Sequence, residues 1–252
     1  MKMIFMGRKV YAAKLLEWTV LKGIEVIAVV TDSHFPNSPT SIKAKSLGIP
    51  VVSLQKAEEI VKNEEVDIVI SYLFWKKIKE PLISKPKYGC INFHPAILPD
   101  WRGTAGYNIA ILKKLTKWGA TAHYINKHID EGNIISTFEF NFDYRIETAK
   151  SLEEKTQGIQ MDLYKKVILD VLEMGMLPSI KQDLSKGTYI SRKQMENMKS
   201  IDLQNDDIDL KIRAFWFPPY RGANITINDV KYTLINDDIL HSLIDDSTTY
   251  QK

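Results

Sequence analysis

Cys90-Ile91-Asn92-Phe93-His94-Pro95-Ala96-Ile97-Leu98-Pro99-Asp100-Trp101-Arg102-Gly103 begins as a strand and ends as a loop. Strand side chains alternate faces with a period of two, so Asn92 and His94 project together while Ile91 and Phe93 pack behind them. Pro95 ends the regular pairing, because it has no N–H to give to a ladder. An amide and an imidazole therefore stand side by side at the C-terminal end of a strand. In open α/β sheets that edge is where ligands bind.

The flanking sequence supplies such a sheet. Residues 3–6 and 24–30 are apolar strands, the composition of parallel strands covered on both faces. Between them Val10, Ala13, Leu16 and Val20 predict one side of a helix. Residues 33–40, with two prolines and Asn37, predict a loop. A short helix, the strand Val51-Val52, a charged helix over 55–63 and a strand over 67–71 lead to the strand at 89–94. Residues 105–115 predict a helix, 120–125 a strand, and 134–142 alternate like an antiparallel strand. The strongest helix runs over 151–173, with Leu163, Tyr164, Val167, Ile168, Val171 and Leu172 as its core-facing stripe. Met161, Met174 and Met176 read as gap-filling core. The alternation predicts an α/β fold, a mostly parallel, doubly wound sheet with helices on both faces. After Pro178 the segments become short and polar. Ile225–Ile227 and residues 230–234 flank Asn228-Asp229, a tight hairpin turn. The expected domains are 1–178 and a small, mostly irregular C-terminal lobe with a β-hairpin over 179–252.

Net charge is +3, from 34 basic and 31 acidic residues, which argues against a dominant nucleic-acid or membrane surface. Cys90 stands alone, so no intrachain disulfide forms and a reducing compartment fits. Residues 1–7 are a short apolar strand without the core of a signal peptide, and no apolar run reaches membrane-spanning length. The expected location is cytoplasmic. The first strand-to-helix turn has Gly7 alone before Arg8-Lys9, which removes the main support for a dinucleotide oxidoreductase.

Asn92 and His94 are the first candidates for chemistry. An imidazole accepts or donates a proton near neutral pH, and a neutral amide donates to a developing oxyanion. Equally, they read as strand-end groups satisfying nearby backbone. Asp130, in Lys127-His128-Ile129-Asp130-Glu131-Gly132, follows one strand-helix-strand unit later. It reads either as a carboxylate orienting His94 and favouring its protonated form, or as a turn residue before glycine. His123, within a strand, reads as structural; His128 faces a polar stretch, and His34 and His241 fall in loops or tail. No spacing among these residues resembles a metal site, so no metal is expected. Residues 72–77, Tyr-Leu-Phe-Trp-Lys-Lys, read as exposed aromatics and lysines suited to a ring and a phosphate, or as a solvated helix start. In residues 214–222 the first aromatics read as structural and Tyr220 as nearest a ligand.

Asn92-x-His94-Pro95, Leu98-Pro99, Arg102-Gly103, and Gly119-Ala120-Thr121-Ala122-His123 through Asp130-x-Gly132-x-Ile134 resemble the formyltransferases that use 10-formyltetrahydrofolate. The resemblance covers residues 1–175. It implies a Rossmann-like catalytic domain and a catalytic trio of Asn92, His94 and Asp130. His94 would assist proton removal from an amine, Asn92 and His94 would steady the oxyanion, and Asp130 would position His94. It also implies a folate cleft along Leu73, Phe74 and Trp75 and along residues 126–130, including Asn126 and Ile129.

The acceptor amine divides the family. Residues 205–252 hold eight acids and five bases, net −3, a poor surface for a phosphate backbone. The segments 187–192, 212–215 and 217–219 are similar to sugar N-formyltransferases acting on nucleotide-linked amino sugars, as is the small hairpin lobe. The expected acceptor is an amino-dideoxy sugar carried on a nucleotide, most like dTDP, of the kind used in lipopolysaccharide O-antigen biosynthesis. Arg8, Lys76 and Lys77 would meet the diphosphate, with Arg102 as a further contact and Tyr220 stacking on the base. Small-molecule partners are expected, with no nucleic acid and no membrane, and the hairpin is a candidate homodimer surface. The alternatives are a methionyl-tRNA formyltransferase-like enzyme and a non-catalytic folate- or nucleotide-binding module.

Overall fold

The computed structural model describes residues 1–31 and 35–248. His34, read as a loop residue, lies outside them. In chain order the elements are β1 (Lys2–Gly7), α1 (Val10–Leu21), β2 (Glu25–Val30), α2 (Pro39–Ser46), β3 (Val51–Val52), α3 (Leu54–Asn63), β4 (Ile68–Tyr72) and β5 (Cys90–His94). Then come β6 (Trp101–Gly103), α4 (Gly106–Leu112), β7 (Lys117–Tyr124), β8 (Ile134–Asn141) and α5 (Ala149–Met174). The remainder holds β9 (Thr188–Ile190), α6 (Arg192–Met198), α7 (Ile208–Phe215), β10 (Asn224–Ile227), β11 (Val230–Thr233) and α8 (Asp237–Thr248).

Seven strands form one sheet in the order β3-β2-β1-β4-β5-β7-β8. Pairing is parallel from β3 through β5, and β5 meets β7 antiparallel. This is the expected Rossmann-like, mostly parallel sheet. The two-residue period sorts β1 visibly. Met3 and Phe5 enter one core with Leu16, Leu163 and Tyr164, while Ile4 and Met6 enter a second core with Ala57, Val61 and Cys90. Burying side chains of this size stabilises by about 1.5–3 kcal/mol each. From β1 the chain winds outward to β3 and returns to β4, so the ends of β1 and β4 flank the switch point of the sheet.

The chain folds as two compact units. One comprises Met1–Arg102, Gly119–Glu139 and Gln157–Thr188, and the other Gly103–Trp118, Phe140–Thr156 and Tyr189–Lys252. In the second, Asn108 Nδ2 donates to the Ala214 carbonyl at 2.6 Å, joining α4 to α7. The Tyr107 and Phe217 rings stack with centroids 6.4 Å apart. The hairpin turns at Asn228 and Asp229, both with positive φ (48° and 62°), as a two-residue turn of matching twist requires.

Several local expectations need correction. The 33–40 loop stops early, because Ser38 caps α2 by accepting from Ser41 N, with Pro39 at the first helical position. The buried side of α1 is Ala12, Ala13, Leu15, Leu16 and Thr19, whereas Val10 is exposed. Leu172, Met174 and Met176 are exposed rather than core. Tyr72 belongs to β4 and is fully buried, so it is not one of the exposed aromatics, and residues 73–77 form no helix. The region after Pro178 is not mostly irregular, since it carries α6, α7 and α8, the last including His241.

Candidate active site

β5 and β7 bring the first two polar side chains together by register. Asn92 pairs with His123 and His94 with Thr121 across the antiparallel ladder. Directly opposite residues project to the same face. Ile91 and Phe93 enter the core with α5, as their alternation requires. Asn92, His94, Thr121 and His123 therefore share the other face.

The hydrogen bonds assign the groups. Asn92 Oδ1 accepts from Ser71 Oγ at 2.8 Å, which leaves Nδ2 toward His123 Nε2 at 3.1 Å. His123 Nδ1 lies 2.8 Å from the Tyr124 carbonyl, so that nitrogen carries the proton. In the neutral ring Nε2 then accepts from Asn92. One amide N–H of Asn92 is left over. His94 Nε2 lies 2.9 Å from the Trp101 carbonyl, so it too must donate, and Nδ1 carries the lone pair of the neutral ring.

Asp130 faces both imidazoles. Its Oδ2 is 3.6 Å from His94 Nδ1 and its Oδ1 is 3.6 Å from His123 Nε2, with all three side chains almost fully buried. Its φ of +57° is a conformation that aspartate tolerates better than most residues. Three features hold that conformation. A Cβ at Gly132 would sit 1.7 Å from the Tyr124 carbonyl oxygen, so only glycine allows the loop this close to β7. The buried Gln182 donates Nε2 to the carbonyls of Asp130 at 2.9 Å and Gly132 at 2.6 Å. Arg102, itself buried, places Nη1 3.5 Å from Glu131 Oε1.

The loop after β5 is pinned from β7. Thr121 Oγ1 donates to the Ala96 carbonyl at 2.8 Å and accepts from Leu98 N at 3.1 Å. The arrangement thus offers a fixed amide donor, an imidazole with one free nitrogen, and a carboxylate against that nitrogen. That is a proton-accepting and oxyanion-steadying set.

The structure brings Asn92, His94 and Asp130 together, and adds His123, Ser71 and Gln182, which the sequence reading had not placed at the site. His123 is more than a structural strand residue: it orients Asn92 and faces Asp130. Its signal was the register of β7, which the sequence leaves undefined. Leu73 follows β4 with φ +56°, then half-buried Phe74 and exposed Trp75. Lys76 Nζ lies 5.2 Å from the Trp75 ring centroid, and Lys77 is exposed. Asn126 Oδ1 accepts from His128 N, and Ile129 is half-exposed. Arg8 follows β1, half-buried. Tyr220 lies in the second unit, exposed, 5.8 Å from the Phe217 ring. Among the described residues no group of three or more His, Cys, Asp or Glu is placed to hold a metal ion. No helix among them is long and apolar enough to cross a membrane.

The formyl transferase family matches residues 1–168. A methionyl-tRNA formyltransferase of Bacillus cytotoxicus is 31% identical over 211 residues, 79% of this chain and 67% of its own. A similar Geobacillus enzyme is matched over 66% of its length. Among solved structures, the N-formyltransferase of Helicobacter canadensis in complex with folinic acid and dTDP-3-aminofucose superposes with a TM-score of 0.75. It is 25% identical, over 94% of this chain and 89% of that one. WlaRD, a sugar 3N-formyl transferase in the presence of dTDP and 5-N-formyl-THF, gives a TM-score of 0.76 at 26% identity, over 92% and 84%. The chain belongs to the formyl transferase family and is an N-formyltransferase.

Proposed function

We propose that the protein transfers the formyl group to the amine of a nucleotide-linked amino-dideoxy sugar, with dTDP as the carrier. The observation that carries this reading is the near full-length likeness, in both directions, to two sugar N-formyltransferases. The acidic balance of residues 205–252 supports it.

In this reading the amine nitrogen attacks the formyl carbon, forming a C–N bond and a tetrahedral oxyanion. The spare N–H of Asn92 meets that oxyanion. His94 Nδ1 takes the amine proton while Nε2 stays anchored on the Trp101 carbonyl, and Asp130 balances the resulting imidazolium. Collapse breaks the bond to N10 of the folate, which leaves as tetrahydrofolate after gaining a proton. Leu73, Phe74, Trp75, Asn126 and Ile129 form the folate cleft, and Arg8 meets the diphosphate. The division into a catalytic domain over 1–178 and a small lobe over 179–252 belongs to the same proposal.

A second reading, formylation of methionyl-tRNA, is favoured by the sequence relatives. Incubation with 10-formyltetrahydrofolate and a panel of nucleotide-linked amino sugars, Met-tRNA and glycinamide ribonucleotide separates the two. Formylated sugar is the expected product, and formylation of the tRNA alone contradicts the proposal.

A further inference from the structure

Residues 179–188 lead from α5 into β9 and touch both loops that flank His94. At the start of this run Asn133 Nδ2 donates to Ser179 Oγ at 2.9 Å. Ile180 and Ile134 exchange backbone hydrogen bonds at 2.9 and 2.8 Å, N–H to carbonyl in each direction. Gln182 then spans the carbonyls of Asp130 and Gly132. A turn follows, in which Lys186 N donates to the Asp183 carbonyl at 3.1 Å and Ser185 Oγ to Asp183 Oδ1 at 2.6 Å. Beyond it Gly187 adopts φ +75°, and Thr188 N donates to the Asp100 carbonyl at 2.7 Å. A Cβ at Gly187 would sit 2.1 Å from the Pro99 carbonyl oxygen and 2.6 Å from Asp100 Cα, so glycine alone permits this approach.

These contacts reach opposite ends of one imidazole. Asp100 immediately precedes Trp101, whose carbonyl accepts from His94 Nε2, and Gln182 holds Asp130, which faces His94 Nδ1. One short run of chain therefore ties the partner of one ring nitrogen to the partner of the other. Arg102 and Glu131 bridge the same two loops at 3.5 Å, a longer and weaker link. Apolar burial does not explain the path of this segment. Gln182 is buried, whereas the other nine residues of 179–188 are exposed, Ile180 and Leu184 among them. A segment with so little buried surface is ordered by its hydrogen bonds, and here those bonds go to the loops beside His94. Displacing a reacting group by about 1 Å can cost a hundredfold in rate, so holding both loops together has a catalytic consequence.

We infer that residues 179–188 act as a positioning strap, which keeps the Trp101 carbonyl and the Asp130 carboxylate in register on the two nitrogens of His94. Gln182 is the positioning residue at one end, and Gly187 with Thr188 at the other. The inference rests on the roles proposed above for His94 and Asp130.

The test combines Gln182→Met with Gly187→Ala, each checked for folding by melting, and reads turnover with whichever amine the enzyme formylates. Each single variant lowers kcat by about tenfold and leaves KM for the folate within about twofold. The double variant falls about ten- to twentyfold below wild type, because a strap released at one end has little left to lose at the other. Inserting two glycines between Ser185 and Lys186, in the exposed turn, lets the ends move separately, and the two losses then multiply to about a hundredfold. If Gly187→Ala does not fold, Thr188→Pro takes its place, since it withdraws the N–H given to Asp100. The amide resonances of the folded protein give a readout that needs no acceptor. Gln182→Met shifts those of Asp100 and Trp101, and Gly187→Ala shifts those of Asp130 and Gly132. Losses that multiply in the chain of native length, or shifts confined to the substituted end, overturn the inference. Shifts at both ends with turnover unchanged in every variant uphold the coupling and overturn the roles given to His94 and Asp130.

Discussion

Asp130 Oδ2 faces His94 Nδ1 across 3.6 Å, while the other nitrogen of that ring is tied to the Trp101 carbonyl. The carboxylate therefore acts on the one nitrogen free to take a proton. Two unit charges about 4 Å apart at an effective dielectric near 20 attract by roughly 4 kcal/mol, equivalent to about a thousandfold in rate. Asp130→Asn keeps the shape and tolerates the positive φ, so it isolates the charge. Its kcat should fall by about a hundredfold to a thousandfold with an unchanged melting temperature. Steady-state kinetics near wild type would remove Asp130 from the mechanism.

Asn92→Ala and His94→Ala should lose turnover on a similar scale, because removing one oxyanion donor typically costs about a hundredfold to a thousandfold. Folate titration checks that binding survives. A variant that loses folate binding and turnover in equal proportion would show a binding role instead.

His123 acts through Asn92 rather than on substrate. His123→Ala frees the amide to rotate, and kcat should drop by about tenfold with little change in KM for the folate. His123→Gln, whose carbonyl can still accept from Asn92, should recover part of that loss. Identical kinetics for the two variants would contradict the orienting role.

The Asp130 loop depends on backbone proximity. Gly132→Ala forces a Cβ onto the Tyr124 carbonyl, and overpacking of this kind costs about 3 kcal/mol. Thermal melting should fall by roughly 6–12 °C. Gln182→Met fills a similar volume but withdraws both donated hydrogen bonds, leaving buried carbonyls unpaired at about 1–3 kcal/mol. It should slow turnover more than it raises KM, and a fully active Gln182→Met enzyme would show that the clamp is dispensable.

Cys90 is buried in β5, and burial pushes its thiol well above the ordinary range. Thiolate is the reactive form, so a thiol reagent at mildly alkaline pH should leave the folded protein unlabelled and modify it stoichiometrically in denaturant. Rapid native labelling would mean that β5 opens readily.

Much of this was legible in the sequence, for a physical reason. The strand at Cys90–His94 announces itself because Ile91 and Phe93 need a core while Asn92 and His94 need something else, and period two separates them. The parallel strands were legible as apolar runs. The role of His123 was not, because it depends on which residue of β7 lies opposite Asn92, a long-range pairing that no local pattern encodes. Gln182 was hidden for the same reason, fifty residues from the carbonyls it holds. The start of α2 was misread because Ser38-Pro39 serves equally as turn chemistry and as a helix cap. Helices α6 to α8 are short and polar enough to pass for irregular chain.

The most direct test is to offer dTDP-linked amino sugar and Met-tRNA together, with 10-formyltetrahydrofolate, and to compare kcat/KM for the two acceptors. A sugar N-formyltransferase yields formylated nucleotide sugar and leaves the tRNA at background. Formylated Met-tRNA with the sugar untouched would overturn the sugar assignment.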